Sequence, residues 1–380
     1  MTDIGRMAHV APARTQLAVS AYFDEAVFAR EQELIFKQSS LYVGNQKLVP
    51  EPGDWSTLIQ ENGGRALVRS AQGVELLSNV CRHRQALMLG GETGNVAGPA
   101  NRRGNLRATG GNVVCPLHRW TYNARGELLG APQFDSTPCM NLQRFPLRDC
   151  HGLLFEGPRD PAADLAPLFQ RPEFDFSDYV LDHVEIHQCR YNWKTFIEVY
   201  LEDYHVEPFH PGLGNFVTCN DLRWEFGEHY SVQTVGVNQG LAKSGSPKYR
   251  KWQEQVMKFR DGEPPPYGAI WLTLYPNIMV EWYPHVLVVS TVWPNGPEKT
   301  TNVVEFYYPE EIVLFEREFV EAERAAYMET CVEDDEIAER MDAGRRILLA
   351  RGTSEVGPYQ SPMEDGMQHF HEWYRSHIAL

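Results

Sequence analysis

Three features are missing from this 380-residue sequence, and each absence argues against a class of protein. No apolar run approaches the ~20 residues that span a bilayer, and the N-terminus shows no charged-then-apolar signal. Lysine and arginine form no block and the formal net charge is −16, which argues against a nucleic-acid or anionic-lipid partner. The seven cysteines are odd in number and scattered, so no disulfide scaffold is expected. We therefore expect a cytoplasmic protein.

The texture of the sequence divides the chain into three predicted regions. Residues 1–39 carry a helical apolar pattern at about 22–37. Residues 40–158 consist of short β-rich runs separated by Gly, Pro and Asn, which predicts an all-β module of hairpins. Residues 159–380 open with a Pro- and Asp-rich connection and then mix helical and strand patterns. The predicted fold class is α+β, an all-β domain joined to a domain with an antiparallel sheet flanked by helices.

Within the last region the pattern predicts a sequence of elements. A polar stretch at 243–266 has Gly and Pro clusters and is interpreted as a surface insertion or lid. The predicted helices are 192–206, 309–350 and a C-terminal helix over FHEWYRSHI, and the predicted strands are 228–238, 270–281, 285–293 and 301–308.

Two Cys/His pairs, Cys81 with His83 and Cys115 with His118, form the first candidate metal site. Each pair follows an apolar run, which places it at the tip of a hairpin. Two thiolates and two imidazoles suit either a structural zinc ion or a [2Fe–2S] cluster with both cysteines on one iron and both histidines on the other. The single residue between Cys81 and His83 favours the cluster, because zinc sites prefer two or more residues between ligands.

A second candidate site lies in one short segment. Glu198, Glu202 and His205 have the spacing of one helical face, and His210 follows five residues after His205. Pro208 is predicted to break the helix, so that both imidazoles reach one metal ion. Two histidines and a carboxylate with open positions form the facial triad of O2-activating Fe(II) enzymes.

The two segments together resemble a known family. Residues 79–84 (NVCRHR) and 115–128 (CPLHRWTYNARGEL) resemble the two loops of the Rieske domain in ring-hydroxylating oxygenase α subunits. Residues 192–211, with NWK and EDYHVEPFHP, resemble the iron-binding helix of that family, and the resemblance extends from about residue 20 to 378. The second loop departs from the family, which usually has an aromatic residue after Pro and Gly after His. The segment between the loops is also longer than usual.

The resemblance implies roles for individual residues. Glu202 takes the place of the acidic residue that bridges to the Rieske cluster of a neighbouring subunit, with Asp203 as the fallback. Asp334 in the acidic segment 330–346 is the expected carboxylate ligand, with Asp335 close behind. The implied ligands are Cys81, His83, Cys115 and His118 for the [2Fe–2S] cluster, and His205, His210 and Asp334 for a mononuclear Fe(II).

The implied function is that of a terminal Rieske oxygenase component, acting as a homotrimer or a multiple of it. The chain has no plant-type ferredoxin motif and no G-x-G-x-x-G, so a separate NAD(P)H-dependent reductase, and possibly a ferredoxin, must supply electrons. Aromatic residues near the catalytic segments suit a small aromatic or quaternary-ammonium substrate, to be hydroxylated, dihydroxylated or demethylated with O2. Two alternatives stay open: a Rieske electron-transfer protein without oxygenase activity, and a zinc-stabilised binding protein.

Overall fold

The computed structural model of the chain describes residues 15–90, 102–243, 245–353 and 355–378. Residues 91–101 of the long segment between the two Cys/His pairs lie outside the described residues. The chain divides into two compact units, one over residues 38–173 and one that joins residues up to 37 with residues 174–380. The domain boundaries at residues 39/40 and 158/159 stay a prediction.

Two short helices open the described chain, α1 (Ser20–Phe23) and α2 (Glu25–Leu34). Asp24 separates them and caps α2, because its carboxylate accepts hydrogen bonds from the backbone N–H groups of Ala26 and Val27 at 2.7 and 3.2 Å. The helical pattern predicted over residues 22–37 is therefore confirmed, with an interruption at Asp24.

Short antiparallel strands are the main regular secondary structure described in the unit over residues 38–173, as predicted. Its sheets have the orders β1-β11-β10, β5-β2-β3-β4-β9 and β6-β7-β8, and one short helix, α3 (Pro161–Leu165), follows them. The strands are β1 (Leu41–Asn45), β2 (Asp54–Thr57), β3 (Arg65–Ser70), β4 (Gly73–Ser78), β5 (Arg103–Asn105), β6 (Val113–Val114), β7 (Thr121–Tyr122), β8 (Leu128–Gly130), β9 (Arg144–Phe145), β10 (Arg148–Cys150) and β11 (Leu153–Glu156).

A seven-stranded antiparallel sheet forms the centre of the other unit, with the order β12-β18-β17-β16-β15-β14-β13. The segment predicted as one strand over 270–281 is instead two strands joined by a turn at Pro276 and Asn277. Proline has no N–H to donate to a ladder, and Asn is a turn residue. The strands are β12 (Tyr179–Cys189), β13 (Val217–Phe226), β14 (Tyr230–Val237), β15 (Ala269–Leu274), β16 (Ile278–Tyr283), β17 (Val286–Gly296) and β18 (Lys299–Pro309).

Helices flank this sheet, and one of them corrects the prediction of a surface lid. The segment 243–266 contains α7, whose Tyr249, Trp252 and Val256 lie on one helical face and are buried in the core against α9. The helices are α4 (Trp193–Tyr200), α5 (Val206–Phe209), α6 (Leu213–Phe216), α7 (Pro247–Phe259), α8 (Glu310–Phe315), α9 (Arg317–Ala350) and α10 (Asp365–His377). Among the residues that the structure describes, none of the helices has both the length and the apolar character needed to cross a membrane.

Candidate metal centres and substrate cavity

Helix α4 is shorter than predicted, and this changes the geometry of the ligand segment. It ends at Tyr200, and the following backbone groups bond elsewhere. The Asp203 amide donates to the Met363 carbonyl at 2.9 Å. The His205 amide donates to the Glu202 carboxylate at 3.1 Å. Glu198 remains on α4 and is fully buried. The prediction that Glu198, Glu202 and His205 share one helical face is therefore wrong.

Pro208 also has a different role from the one predicted. It is the third residue of α5, where a proline is tolerated because the first N–H groups of a helix have no intrahelical partner. Helix α5 is one turn long, and His205 and His210 flank its two ends. This single turn brings the two imidazoles together, with their Nε2 atoms 3.0 Å apart.

Asp334 of α9 completes a group of three ligand atoms. Its Oδ1 lies 3.0 Å from His210 Nε2 and 3.4 Å from His205 Nε2. Ligand atoms that bind one ion at about 2.1 Å and at right angles are about 3.0 Å from one another. The buried Oδ1 atom also has no hydrogen bond of good geometry among the described residues. These three side chains therefore fit one metal ion bound on a single face, with its other positions open.

Carboxylates lie behind both imidazoles. Glu202 Oε1 is 2.6 Å from His205 Nδ1, and Glu333 Oε2 is 2.7 Å from His210 Nδ1. Glu333 was not among the site residues predicted from the sequence. Asp203, the fallback for Glu202, is buried and accepts a hydrogen bond from Gln233 at 2.5 Å instead of facing an imidazole. Burial and the neighbouring Glu202 raise the pKa of Asp203 to about 7.

The two Cys/His loops share one backbone arrangement. The Cys81 amide donates to the carbonyl five residues later at 2.9 Å, and the Cys115 amide does the same at 2.8 Å. In each loop the amide four residues after the cysteine donates back to the cysteine carbonyl, at 3.1 Å in both cases. Those residues, Gln85 and Arg119, have φ values of 55° and 60°. A positive φ is unfavourable for a residue with a side chain. The positive φ at Arg119 therefore explains why the family usually has glycine directly after the second histidine.

The side chains of these loops separate by burial. Cys81 and Cys115 are buried, His83 is half-buried and His118 is exposed. The two imidazoles lie side by side, with ring centroids 4.7 Å apart, and His83 also stacks on Trp120 at 5.0 Å. His83 Nδ1 is buried and has no hydrogen-bond partner among the described residues. Two buried sulfurs and two neighbouring imidazoles nearer the surface fit a cluster with cysteines on one iron and histidines on the other.

A cavity adjoins the three-residue metal group. One face of α9 lines it, with residues 327, 330, 331, 334, 335 and 338 at helical spacing. The sheet, α4, the segment 202–213 and α7 provide most of the rest. The lining, all of it described, contains no lysine or arginine. Its acidic residues are Glu202, Asp203, Glu281, Asp334 and Asp335, and its aromatic residues are Tyr191, Phe196, Tyr200, Tyr249, Trp271, Tyr283 and Tyr327.

The aromatic residues of segment 271–283 divide between the cavity and the core. Trp271 and Tyr283 line the cavity. Tyr275 and Trp282 are buried in the core elsewhere. Alternation along the strands accounts for part of this, because Tyr283 and Trp282 point to opposite faces of β16.

Comparison with known families agrees with the two kinds of site. Residues 39–146 match the model of the Rieske [2Fe-2S] domain, and residues 176–380 match that of the ring hydroxylating alpha subunit (catalytic domain). The chain belongs to the Rieske-type ring-hydroxylating oxygenase α-subunit family. It is an oxidoreductase with a Rieske [2Fe–2S] cluster and a mononuclear iron, which excludes both alternatives left open by the sequence.

Individual relatives are similar over nearly the whole chain. Putrescine 2-hydroxylase of Bordetella bronchiseptica is 78% identical over 375 residues, which cover 99% of this chain and 87% of the relative. Putrescine 2-hydroxylase of Ralstonia nicotianae is 66% identical, with 99% of each chain covered. The crystal structure of the quaternary ammonium Rieske monooxygenase CntA with an inhibitor shares the fold, with a TM-score of 0.76, 19% identity and 96% of each chain covered.

Proposed function

We propose that this chain is the terminal oxygenase component that hydroxylates a small aliphatic diamine, with putrescine as the first candidate, at C2. Two relatives at 78% and 66% identity carry the name putrescine 2-hydroxylase. The observation that carries the proposal is the lining of the cavity beside the metal group, where carboxylates and aromatic rings occur without lysine or arginine. Such a lining attracts a dication and disfavours a substrate that itself carries a carboxylate.

We propose His205, His210 and Asp334 as the ligands of the mononuclear iron. The mutual distances of 3.0 to 3.4 Å between their ligand atoms support this assignment. Asp334 is preferred over Asp335, because the Asp335 carboxylate accepts a hydrogen bond from Tyr191 at 2.6 Å. When bound, this iron supplies O2 activation, and the overall reaction converts a C–H bond, O2, two electrons and two protons into C–OH and water.

Cys81, Cys115, His83 and His118 are proposed as the ligands of the Rieske cluster. Electrons come from a separate reductase, possibly through a ferredoxin, because the chain shows no flavin or nicotinamide motif of its own. We propose a homotrimer in which His83 or His118 of one chain approaches Glu202 of the next. Glu202 suits this bridging position better than Asp203, since its carboxylate lies 2.6 Å from Nδ1 of the proposed ligand His205. It would thus hold that imidazole and offer a second oxygen to the neighbouring chain.

The residues of the cavity would bind and shield the substrate. Aromatic rings along its walls pack against the methylene chain and exclude water, and their faces attract ammonium groups. The open side of the metal group faces the same cavity, so the bound substrate would lie next to the position where O2 would react.

The proposal is tested by turnover with a panel of amines. The iron-loaded protein, with a family reductase and NADH, would be given putrescine, n-butylamine or L-carnitine under ¹⁸O2. We expect hydroxyputrescine that contains one labelled oxygen, O2 uptake coupled to product, and no product from carnitine. Oxidation of carnitine without oxidation of any diamine would contradict the proposal.

A further inference from the structure

We propose that Glu281 and Asp335 are the specificity-determining residues that bind the two ammonium groups of the diamine, one at each end of the cavity. This inference rests on the proposed function and names the groups that recognise the substrate. Five carboxylates line the cavity. Asp334 belongs to the metal group, Glu202 lies against His205, and one oxygen of Asp203, which directly follows Glu202, accepts a hydrogen bond from Gln233. The two ammonium groups are assigned to Glu281 and Asp335, which lie on two different elements of the cavity wall, β16 and α9.

Glu281 is a buried carboxylate without a cation. The residue is 1% exposed, and within the described part of the chain its carboxylate accepts hydrogen bonds from the hydroxyls of Tyr283 at 3.0 Å and Tyr327 at 2.9 Å. No ion pair of the described residues includes it. Elsewhere in the same unit, buried Glu31 is paired with Lys194 at 2.6 Å. Burial raises the pKa of Glu281 to about 8, and an ammonium group beside its carboxylate would favour the charged form.

A second observation at the same place points to a ligand. The hydroxyl oxygen of Tyr200 is buried and has no hydrogen-bond partner among the described residues. It lies close enough to Glu281 and Asp334 to interact electrostatically with both. A buried hydroxyl without a partner is costly, and a substrate N–H group would satisfy it.

Asp335 has a comparable position on another element. It lies on α9 directly after Asp334 and faces the cavity, where its carboxylate accepts a hydrogen bond from the Tyr191 hydroxyl at 2.6 Å. His187 of β12 is near enough to interact electrostatically with Asp335. No ion pair of the described residues includes Asp335 either.

The sheet separates the two carboxylates. Glu281 is on β16, whereas Asp335 lies beside β12, and β17 and β18 run between these strands. Three strand spacings amount to about 14 Å between the backbones of β16 and β12. Asp334 is adjacent to Asp335 and interacts electrostatically with Glu281. A diamine held at both ends would therefore extend past the metal group.

The test compares a dication with a monocation of equal carbon number. Putrescine and n-butylamine differ by one ammonium group, so their ratio of kcat/KM measures what that group contributes. We expect Glu281→Gln to lower kcat/KM for putrescine by roughly 10- to 100-fold and to move the ratio towards unity. Asp335→Asn should do the same, and Tyr191→Phe, which releases Asp335 without changing α9, should give a smaller loss.

Glu323→Gln is the matched control for the buried position. Glu323 is also 1% exposed and bonded to a tyrosine hydroxyl, but it does not line the cavity, so we expect an unchanged ratio. Iron and sulfide contents should equal those of the wild type in Glu281→Gln, Tyr191→Phe and Glu323→Gln. A wild-type ratio in Glu281→Gln and Tyr191→Phe would overturn the inference while leaving diamine hydroxylation intact. Failure of the wild-type protein to hydroxylate any diamine would instead overturn the proposed function.

Discussion

Each imidazole of the metal group has a carboxylate behind its second nitrogen. Glu202 lies against His205 and Glu333 against His210, at 2.6 and 2.7 Å. Such carboxylates fix which nitrogen is available to the metal and make it a better donor. We therefore propose that Glu202 and Glu333 orient their imidazoles and that Glu202 also links the metal group to a neighbouring chain.

Glu202→Gln tests this double role. The amide keeps the size and one acceptor of the side chain, so we expect both metal centres to remain. We expect turnover to fall by at least about 10- to 100-fold, because the charge that orients His205 and bridges to the next chain is lost. The measurement combines iron and sulfide contents, the visible spectrum and the rate of single-turnover oxidation of the reduced cluster.

Glu207→Gln serves as the control for that experiment, since Glu207 is exposed on α5, two residues after His205. Its turnover should equal that of the wild type. Full activity in Glu202→Gln would refute the bridging role, and loss of iron would show that Glu202 is needed to retain the metal.

At the scale of elements, α9 places its acidic residues in three different surroundings that its sequence does not separate. One face presents Tyr327, Thr330, Asp334 and Ala338 to the cavity at helical spacing. Glu333 lies beside this face and reaches His210, while Glu336 is exposed. A run of acidic residues is usually a solvated helix face. Only the packing of α9 against its neighbours distinguishes a ligand, an orienting group and a surface charge.

Glu323, nearer the start of α9, gives a prediction on pH and stability. Burial raises its pKa to about 8, with nearby Glu281 and Asp182 adding to the effect and Tyr308 and Arg324 opposing it. The unfolded chain would lose this proton near pH 4.5, so the contribution of Glu323 is fully present below that pH and is lost as the pH rises through 8. The free energy of unfolding of Glu323→Gln minus that of the wild type should therefore increase by about 2–4 kcal/mol as the pH rises from 5 to 8.5.

Urea unfolding followed by tryptophan fluorescence at several pH values measures this difference. Glu321→Gln is the control, because Glu321 is exposed on the same helix and should show no such trend with pH. A difference between Glu323→Gln and the wild type that stays constant with pH would contradict the assigned protonation of Glu323.

For the molecule as a whole, the parts predicted from the sequence are those whose signals are local. The two Cys/His loops and the pair of histidines each lie within a short segment, so spacing and resemblance identify them directly. The α+β fold class is confirmed for the same reason, since alternation and helical spacing are local patterns. The choice of Asp334 depended on the family resemblance alone, and the position of its Oδ1 beside both imidazoles now supports it.

The parts that were missed depend on contacts between distant segments. Helix α4 ends at Tyr200, and the Asp203 amide then donates to the carbonyl of Met363, 160 residues later in the chain. No local sequence pattern reveals this contact. The polar segment 243–266 forms a packed helix because three residues at helical spacing are buried. Glu281 lies in an apolar strand. Its position in a cavity depends on the packing of α9 against the sheet, which the strand sequence does not indicate.

A count of metals in two variants tests most directly whether the chain holds a Rieske cluster and a separate iron bound by Asp334. Iron and acid-labile sulfide would be measured per chain after anaerobic purification of the wild type and of Asp334→Ala, with Glu336→Ala as an exposed control on the same helix. We predict about three irons and about two sulfides in the wild type and the control, and about two of each in Asp334→Ala with an unchanged Rieske spectrum. An unchanged iron content in Asp334→Ala would contradict the assignment of Asp334 as an iron ligand. Zinc without sulfide in the wild type would contradict both metal centres.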